Sequence, residues 1–209
     1  MASKDNKLTP LEIETESMKF IESKVDLSRF SQAEIPVVKR IIHATGDLDI
    51  GKDVIFTPGA VHKGIQALKN GRDIITDVNM LKTGIDKKRL SHLGGEVHCR
   101  IDQKDIHSKA KDTGTTRAAS AIYSFDEFIS NQVVAIGNAP TALYALLDMV
   151  EEYIVPALII GVPVGFIDAK ESKEALQEME IPYITIKGYK GGSPVASAVI
   201  NAILRQAHE

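Results

Sequence analysis

The sequence is poor in cysteine and in aromatic residues. Among 209 residues there is one cysteine, Cys99, there is no tryptophan, and aromatic residues make up 5% of the chain. A single cysteine excludes an intramolecular disulfide, so the fold is not a disulfide framework. Because Cys99 lies in the alternating segment EVHCRI, we expect it to be a small buried apolar residue. These features favour a reducing, cytoplasmic setting.

The sequence also lacks an excess of positive charge and a long apolar run. Lys and Arg number 25 against 28 Asp and Glu, which gives a net charge of -3 without any polybasic block. The long-range field that attracts nucleic acids is therefore missing. No apolar run approaches the roughly 18 residues that cross a membrane, and the N-terminal segment has no apolar signal core. We expect no nucleic-acid partner, no membrane partner and no secretion.

The composition, 44% hydrophobic and 25% charged residues, is typical of one globular domain of this length. Residues 1–209 are predicted to form that domain, with 1–70 as a helical arm and cap and 71–209 as an α/β core. Thr9-Pro10-Leu11-Glu12 has the pattern of a capping box and starts a helix that runs to about Glu22. Two more helices are predicted, at about 33–43 and 58–70.

Short apolar runs punctuate the chain after residue 72 and are typical of parallel strands buried on both faces. The runs are DIITD, EVHCR, QVVAIGN, ALIIGVP and PYITIKG. Helices are predicted between and after them, at about 87–93, 116–130, 141–152, 169–179 and 194–206. This alternation predicts a three-layer α/β sandwich around a parallel sheet of about five strands, with flavodoxin-like winding.

Glycine-bearing turns follow the third, fourth and fifth of these runs and lead into helix N-termini. Free backbone N–H groups at a helix N-terminus bind carboxylate or phosphate. Glycine in one such loop is explained by turn chemistry alone, since α/β folds place Gly and Pro there. Three such loops together with Arg100, Arg117 and Lys190 predict a crevice for an anionic ligand. Asp77 has the alternative role of a helix cap, and Arg117 that of a solvated helix charge.

The common signatures of cofactor and metal sites are absent. The sequence has no GxGxxG after a strand, no GxxxxGK[ST] and no GxSxG, so dinucleotide, nucleoside triphosphate and α/β-hydrolase sites lack support. The histidines at positions 62, 92, 98 and 107 match no metal-binding spacing, so we predict no metal site. The cluster Lys170–Glu174 is predicted to be a solvated helix face.

His43 differs from the other histidines in its context, because a predicted helix end, a glycine turn and an acidic residue meet there. A helix C-terminus and a nearby Asp47 would both favour the imidazolium, which could then donate a proton. The alternative is a histidine that caps the last carbonyls of its helix. The residue pattern alone leaves both roles open.

Several segments together resemble the precorrin-8X methylmutase (cobalt-precorrin-8 methylmutase) family of cobalamin biosynthesis. The resemblance runs almost from end to end and is specific because the segments occur in the family's order and spacing. They are RIIHATGD, TDVNMLKTGI, TTRAASAI, IGNAPTALYALLDMV, IIGVPVGFIDAKESKEAL and GYKGGSPVASAVINAIL. Tyr189-Lys190 departs from the Arg-Lys or Arg-Arg expected before Gly-Gly, which leaves the contact from this loop open.

The resemblance implies a flavodoxin-like fold, a homodimer, no cofactor, and an intramolecular methyl shift from C11 to C12 of a corrin precursor. It places the essential histidine at His43, as general acid, and a substrate contact at Ser17 of the first helix. The full set of predicted substrate-binding residues is Ser17, Arg40, Thr45, Asp47, Asp77, Arg100, Arg117, Asn138, Gly161, Lys190, Gly191 and Gly192.

This chemistry agrees with the residue pattern. The corrin substrate is a polycarboxylate tetrapyrrole, which would use several helix N-termini and basic residues in one crevice. A methyl shift needs a fixed ring and one proton source rather than a nucleophile or a metal. Two alternatives remain at this point: a non-catalytic corrinoid carrier of the same pathway, and nucleotide or flavin binding by analogy of fold.

Overall fold

The computed structural model describes residues 8–209, and over that range the chain is an α/β protein. Its helices are α1 (Pro10–Lys24), α2 (Glu34–Thr45), α3 (Ala60–Lys69), α4 (Asn79–Gly84), α5 (Lys87–His92), α6 (Lys104–Thr113), α7 (Arg117–Tyr123), α8 (Pro140–Glu151), α9 (Ala169–Gln177) and α10 (Ser193–Ala207). Its strands are β1 (Val54–Phe56), β2 (Ile74–Thr76), β3 (Val97–His98), β4 (Val133–Ile136), β5 (Leu158–Gly161) and β6 (Tyr183–Ile186). Short 3₁₀ helices cover Asp49–Asp53 and Asp126–Ile129.

The strands form one sheet in the order β1-β6-β5-β4-β2-β3. Strands β2 to β6 are parallel, and in chain order they take the 2-1-3-4-5 arrangement of flavodoxin-like folds. The predicted parallel sheet is therefore confirmed. It gains a sixth strand that was not predicted, because β1 pairs antiparallel with β6 and places Val54 opposite Ile186. A run of three residues is too short to show a strand period.

Helices cover both faces of the sheet, which confirms the three-layer sandwich. Along β4, Val133 and Ala135 pack into one hydrophobic cluster, while Val134 and Ile136 pack into the other. The first cluster joins the sheet to α2, α3 and α10, and the second joins it to α7, α8 and α9. Burial on both faces explains why these strands are continuous apolar runs rather than alternating ones.

The segment predicted as an arm and cap shares this core. Val38 and Ile42 of α2 and Val61 of α3 belong to the same cluster as β4 and β5. At the start of α1, the Thr9 hydroxyl oxygen accepts a hydrogen bond from the Glu12 amide, and the Glu12 carboxylate accepts one from the Thr9 amide. The predicted capping box is therefore present. Residues 1–7 of the predicted arm lie outside the described residues.

Some helix predictions are corrected. The helix predicted over 116–130 ends at Tyr123, since Asp126 adopts a positive φ angle of 51° that an α-helix does not contain. Helices α4 and α6 were not predicted, and α6 buries only Ile106 and Ala110, too few to form an apolar stripe. Within residues 8–209, no helix is both long enough and apolar enough to span a membrane.

Candidate active site

His43 lies in the last turn of α2 and faces away from the core. Its neighbours Ile41 and Ile42 are buried, whereas His43 is exposed. The helix ends at Gly46 with φ 65°, and the Gly46 amide donates to the Ile42 carbonyl at 2.9 Å. Thr45 Oγ1 donates to the Ile41 carbonyl at 3.0 Å. Within the described range, these two carbonyls are thus capped by Gly46 and Thr45 and not by the His43 ring, which is left exposed at the C-terminal end of the helix.

A cavity of about 920 Å³ opens beside His43. Its walls are α1, the end of α2 and the turn that follows, and Ile13, Phe20 and Leu48 make them largely apolar. Ser17 lines the same cavity, so the structure brings it together with His43, and its role as a substrate contact stays a prediction. The Ser17 hydroxyl donates to the Ile13 carbonyl at 2.7 Å, so a bound ligand would compete for that proton.

A second cavity, of about 400 Å³, lies against His43 between α2, α5 and α10. Three arginines line it, Arg40, Arg89 and Arg205. Arg40 and Arg205 share one carboxylate, that of Glu14 in α1, with Arg205 Nη1 at 2.7 Å from Glu14 Oε1. The Arg205 hydrogen bond and the charges of both arginines hold the pKa of Glu14 below its ordinary value. Two guanidinium groups facing one carboxylate leave an excess of positive charge beside His43.

Asp47 and Lys190 also reach this end of α2, but they contact each other. Lys190 Nζ lies 2.6 Å from Asp47 Oδ2, and this bond lowers the pKa of Asp47 and raises that of Lys190. The predicted partnership of Asp47 with His43 is therefore replaced by one with Lys190. Thr45 serves the cap, since its hydroxyl also accepts from the Asp47 amide at 3.3 Å. The pair joins the α2 end to the loop between β6 and α10.

Asp77 is not available to a ligand, which corrects its prediction as a substrate contact. Its side chain is completely buried, and its carboxylate accepts hydrogen bonds from the amides of Gly137, Asn138 and Ala139 at 3.2, 2.8 and 2.9 Å. Burial raises the pKa of Asp77, and these three donors oppose the rise. The anion site predicted at the start of α8 is thus filled by the chain's own carboxylate, and only the exposed Asn138 side chain remains there.

The three glycines of the predicted site allow close packing. A Cβ at Gly161 would lie 2.5 Å from Leu176 Cδ2, and Gly161 is buried at the end of β5. A Cβ at Gly191 would lie 2.2 Å from the Val162 carbonyl oxygen, and Gly192 donates its amide to that same oxygen at 2.8 Å. Their role in the structure is to bring the β5–α9 and β6–α10 loops together.

Arg100 and Arg117 lie apart from the cavities at His43. Arg100 Nη1 donates to the Ser124 hydroxyl at 3.5 Å and to the Ser124 carbonyl, and its guanidinium stacks over Phe125 at 4.2 Å. These contacts tie the segment after β3 to the end of α7, so the predicted substrate contact from Arg100 is not brought together with His43. Arg117 is exposed in the first turn of α7, whose start meets that of α8 through the Thr116 and Thr141 hydroxyls at 2.7 Å.

Sequence reasoning missed one unusual residue, Lys173 of α9. It was predicted to be part of a solvated face, yet only 1% of it is exposed. A signal was present, because Ala169, Ser172, Lys173 and Leu176 follow the i, i+3, i+4, i+7 spacing of a buried stripe, and all four are buried. Within residues 8–209, no group of three His, Cys, Asp or Glu side chains is arranged to hold a metal ion.

Comparison with known proteins decides the family. A family model described as precorrin-8X methylmutase matches residues 12–206. The chain belongs to the precorrin-8X methylmutase family. Curated relatives include cobalt-precorrin-8 methylmutases from Methanocaldococcus jannaschii, 40% identical over 94% of each chain, and from Leptospira interrogans, 42% identical over 92% of this chain and 91% of that one.

Solved structures agree with this assignment. A precorrin-8X methyl mutase from Thermus thermophilus superposes with a TM-score of 0.87 and 34% identity, over 94% of this chain and 97% of that one. The family match covers the residues around His43, and the solved structure agrees with the fold. The family match also extends through α9, so it includes the buried Lys173.

Proposed function

We propose that this chain is a corrin-ring isomerase that moves a methyl group from C11 to C12 of precorrin-8X or cobalt-precorrin-8. The product would be hydrogenobyrinate or cobyrinate. The observation that carries the proposal is the position of His43, exposed at a helix C-terminus and lining two cavities of different character. Membership in the methylmutase family supports it.

His43 would act as the general acid. In the shift, the bond from C11 to the methyl carbon breaks and the bond from C12 to that carbon forms in the same molecule, so no second substrate is consumed. A proton placed by His43 on the ring C imine nitrogen withdraws electron density as the methyl group moves, and it returns to the imidazole when conjugation is restored. General acid catalysis of this kind contributes roughly 10²- to 10⁴-fold in rate.

The two cavities would divide the work of binding. The apolar wall that includes Ile13 and Phe20 suits one face of the macrocycle, while the arginines of the smaller cavity suit its acetate and propionate carboxylates. Holding the ring in one conformation removes much of the entropic part of the barrier. Lys190 would meet a carboxylate from the side of the β6–α10 loop.

A second copy of the chain would close the larger cavity, so we propose a homodimer. Helix α1 exposes Ile13 and Phe20, at 52% and 55%, in the wall of that cavity. Such a row of apolar side chains at a cavity mouth is typical of an interface. Sedimentation should give a dimer that Phe20→Glu weakens, and a wild-type monomer with full turnover would contradict this arrangement.

The test of function is incubation of the purified protein with metal-free and cobalt-containing precursors while the visible spectrum is followed. Conversion of at least one precursor to its product is expected. The chain lacks tryptophan, so the ultraviolet absorbance of a bound corrinoid stands out against a low protein background. Tight binding of product without conversion of either precursor would contradict the proposal and support the alternative, a corrinoid carrier.

A further inference from the structure

Lys173 is a cation buried beneath the loops that meet at the carboxyl edge of β5 and β6. It projects from α9, and its Nζ donates to the carbonyl oxygen of Lys190 at 2.7 Å. In the part of the chain that the structure describes, this is the only hydrogen bond that the Lys173 ammonium group makes. Burial lowers the pKa of Lys173 to about 8, and the charge of Asp53 acts against that shift. The free energy of burying a charge with so few partners is unfavourable.

The residue that Lys173 holds is itself bonded to the end of α2. The Lys190 carbonyl oxygen accepts a hydrogen bond from the Lys173 ammonium at 2.7 Å. The Lys190 ammonium in turn donates to the Asp47 carboxylate at 2.6 Å. Asp47 follows directly on Gly46, the residue that ends the helix of His43. A continuous set of charge-assisted contacts thus runs from α9 through the loop to the helix that carries His43.

The loop between these contacts has little freedom to move in other ways. The Gly192 amide donates to the Val162 carbonyl at 2.8 Å, and Gly191 packs so closely on that carbonyl that no side chain fits. Gly191 and Gly192 also have φ angles of 150° and 109°, which other residues rarely adopt. The hydrogen bond from Lys173 therefore holds the Lys190 carbonyl, which directly precedes this tightly packed turn. It thereby sets the direction in which the Lys190 side chain leaves the loop.

We propose that Lys173 is a positioning residue for the active site, which holds the Lys190–Asp47 pair and through it the helix end that presents His43. This proposal rests on the proposed function. Stability alone does not explain a lysine at this position, because an apolar side chain of similar length would fill the space without the cost of burying a charge. A positioned catalytic group is sensitive to small movements, and a displacement of about 1 Å can cost 10²-fold in rate.

The experiment compares Lys173→Met with Lys170→Met on the same helix. Lys170 is half-buried and pairs with Glu174 at 3.6 Å, so its substitution controls for loss of a lysine from α9. We expect Lys173→Met to lower kcat about tenfold with little change in KM, and Lys170→Met to leave both unchanged. Wild-type kcat in folded Lys173→Met protein would overturn the proposal.

A double-variant cycle separates positioning from a local packing effect. If Lys173 acts through the Lys190–Asp47 pair, the variant with both Lys173→Met and Lys190→Met will have the kcat of Lys190→Met alone. Losses that multiply as independent effects would overturn the proposal. If Lys173→Met does not fold, Lys173→Gln replaces it, since its side chain is polar but ends one atom short of the Lys190 carbonyl. The same loss of kcat is expected, and wild-type kcat in Lys173→Gln would overturn the proposal.

Hydrogen exchange gives a readout that does not need turnover. Lys173→Met should speed amide exchange in residues 45–50, which belong to elements other than α9, while Lys170→Met should not. Unchanged exchange there would overturn the proposal even if the protein is active. A wild-type chain without turnover, combined with the expected change in exchange, would instead contradict the proposed function and leave the link from Lys173 to α2 established.

Discussion

Two regions of the molecule carry polar groups that the sequence marks as a binding site, and they differ in how those groups are used. At the start of α8, the Asp77 carboxylate accepts three backbone amides and is fully buried. At the end of α2, His43 is exposed and lines two cavities. The first region is satisfied by its own chain, whereas the second is open to a ligand. A glycine-rich helix start therefore indicates an anion, but the anion can be internal.

The contrast between the Asp77 region and the His43 region leads us to expect different effects when their residues are substituted. Changes at the Asp77 region should appear in the free energy of unfolding, and changes at the His43 region should appear in ligand binding and turnover.

Asp77→Ala should destabilise the fold by roughly 3–5 kcal/mol, because three buried amides lose a charged acceptor. Urea unfolding measures the effect. The matched control, Asp112→Ala, removes an exposed carboxylate of α6 and should change stability by less than about 0.5 kcal/mol. Folded Asp77→Ala protein with unchanged stability and weakened ligand binding would break the comparison, since it would place a ligand where the structure places an internal clamp.

The stability of the wild type should rise with pH relative to Lys173→Met. The folded chain holds the pKa of Lys173 at about 8 against an ordinary value of 10.5, so between these values the unfolded chain binds more protons. Raising the pH through that window therefore favours the folded state, by roughly 2 kcal/mol between pH 7.5 and 10. Urea unfolding of both proteins at the two pH values tests the sign. A difference that does not change with pH would contradict it.

Arg205→Ala should weaken binding of the polycarboxylate product about tenfold, as expected for loss of one charge-assisted contact of about 1.4 kcal/mol. Its exposed bond to Glu14 adds little to stability, so unfolding should change by less than about 1 kcal/mol. Titration of product into the variant measures the effect, with Arg72→Ala, an exposed arginine before β2, as control. Equal binding by both variants would remove the smaller cavity from the site.

Much of the fold could be predicted because it depends on local sequence patterns. The five parallel strands lie in short apolar runs that end in polar residues or glycine, and the capping box at Thr9 predicts the start of α1. Strand β1 could not be found in this way, because three residues have no period and the pairing with β6 joins positions more than 120 residues apart. The break after Tyr123 is followed by Asp126, whose positive φ angle no local pattern in the sequence announces.

The site was predictable in its centre and not in its surroundings. The motif around His43 predicted the helix end, and the structure places Ser17 at the same cavity, while the roles of both residues stay predictions. The partners of the charged residues come from distant parts of the chain, as in the bonds from Lys190 to Asp47 and from Arg205 to Glu14. Nothing local determines whether a carboxylate such as Asp77 faces a ligand or a neighbouring loop. Lys173 is the opposite case: its charge favoured the prediction of an exposed residue, although its position in α9 has the spacing of buried residues.

The most direct test of the account is turnover and stability measured on the same His43→Ala protein, with His107→Ala, an exposed histidine of α6, as control. We expect kcat of His43→Ala to fall roughly 10²- to 10⁴-fold, since the proton donor is lost. The free energy of unfolding should change by less than about 0.5 kcal/mol, as for other exposed positions. A His43→Ala protein that converts the precursor at close to the wild-type rate would contradict the role of His43 as general acid.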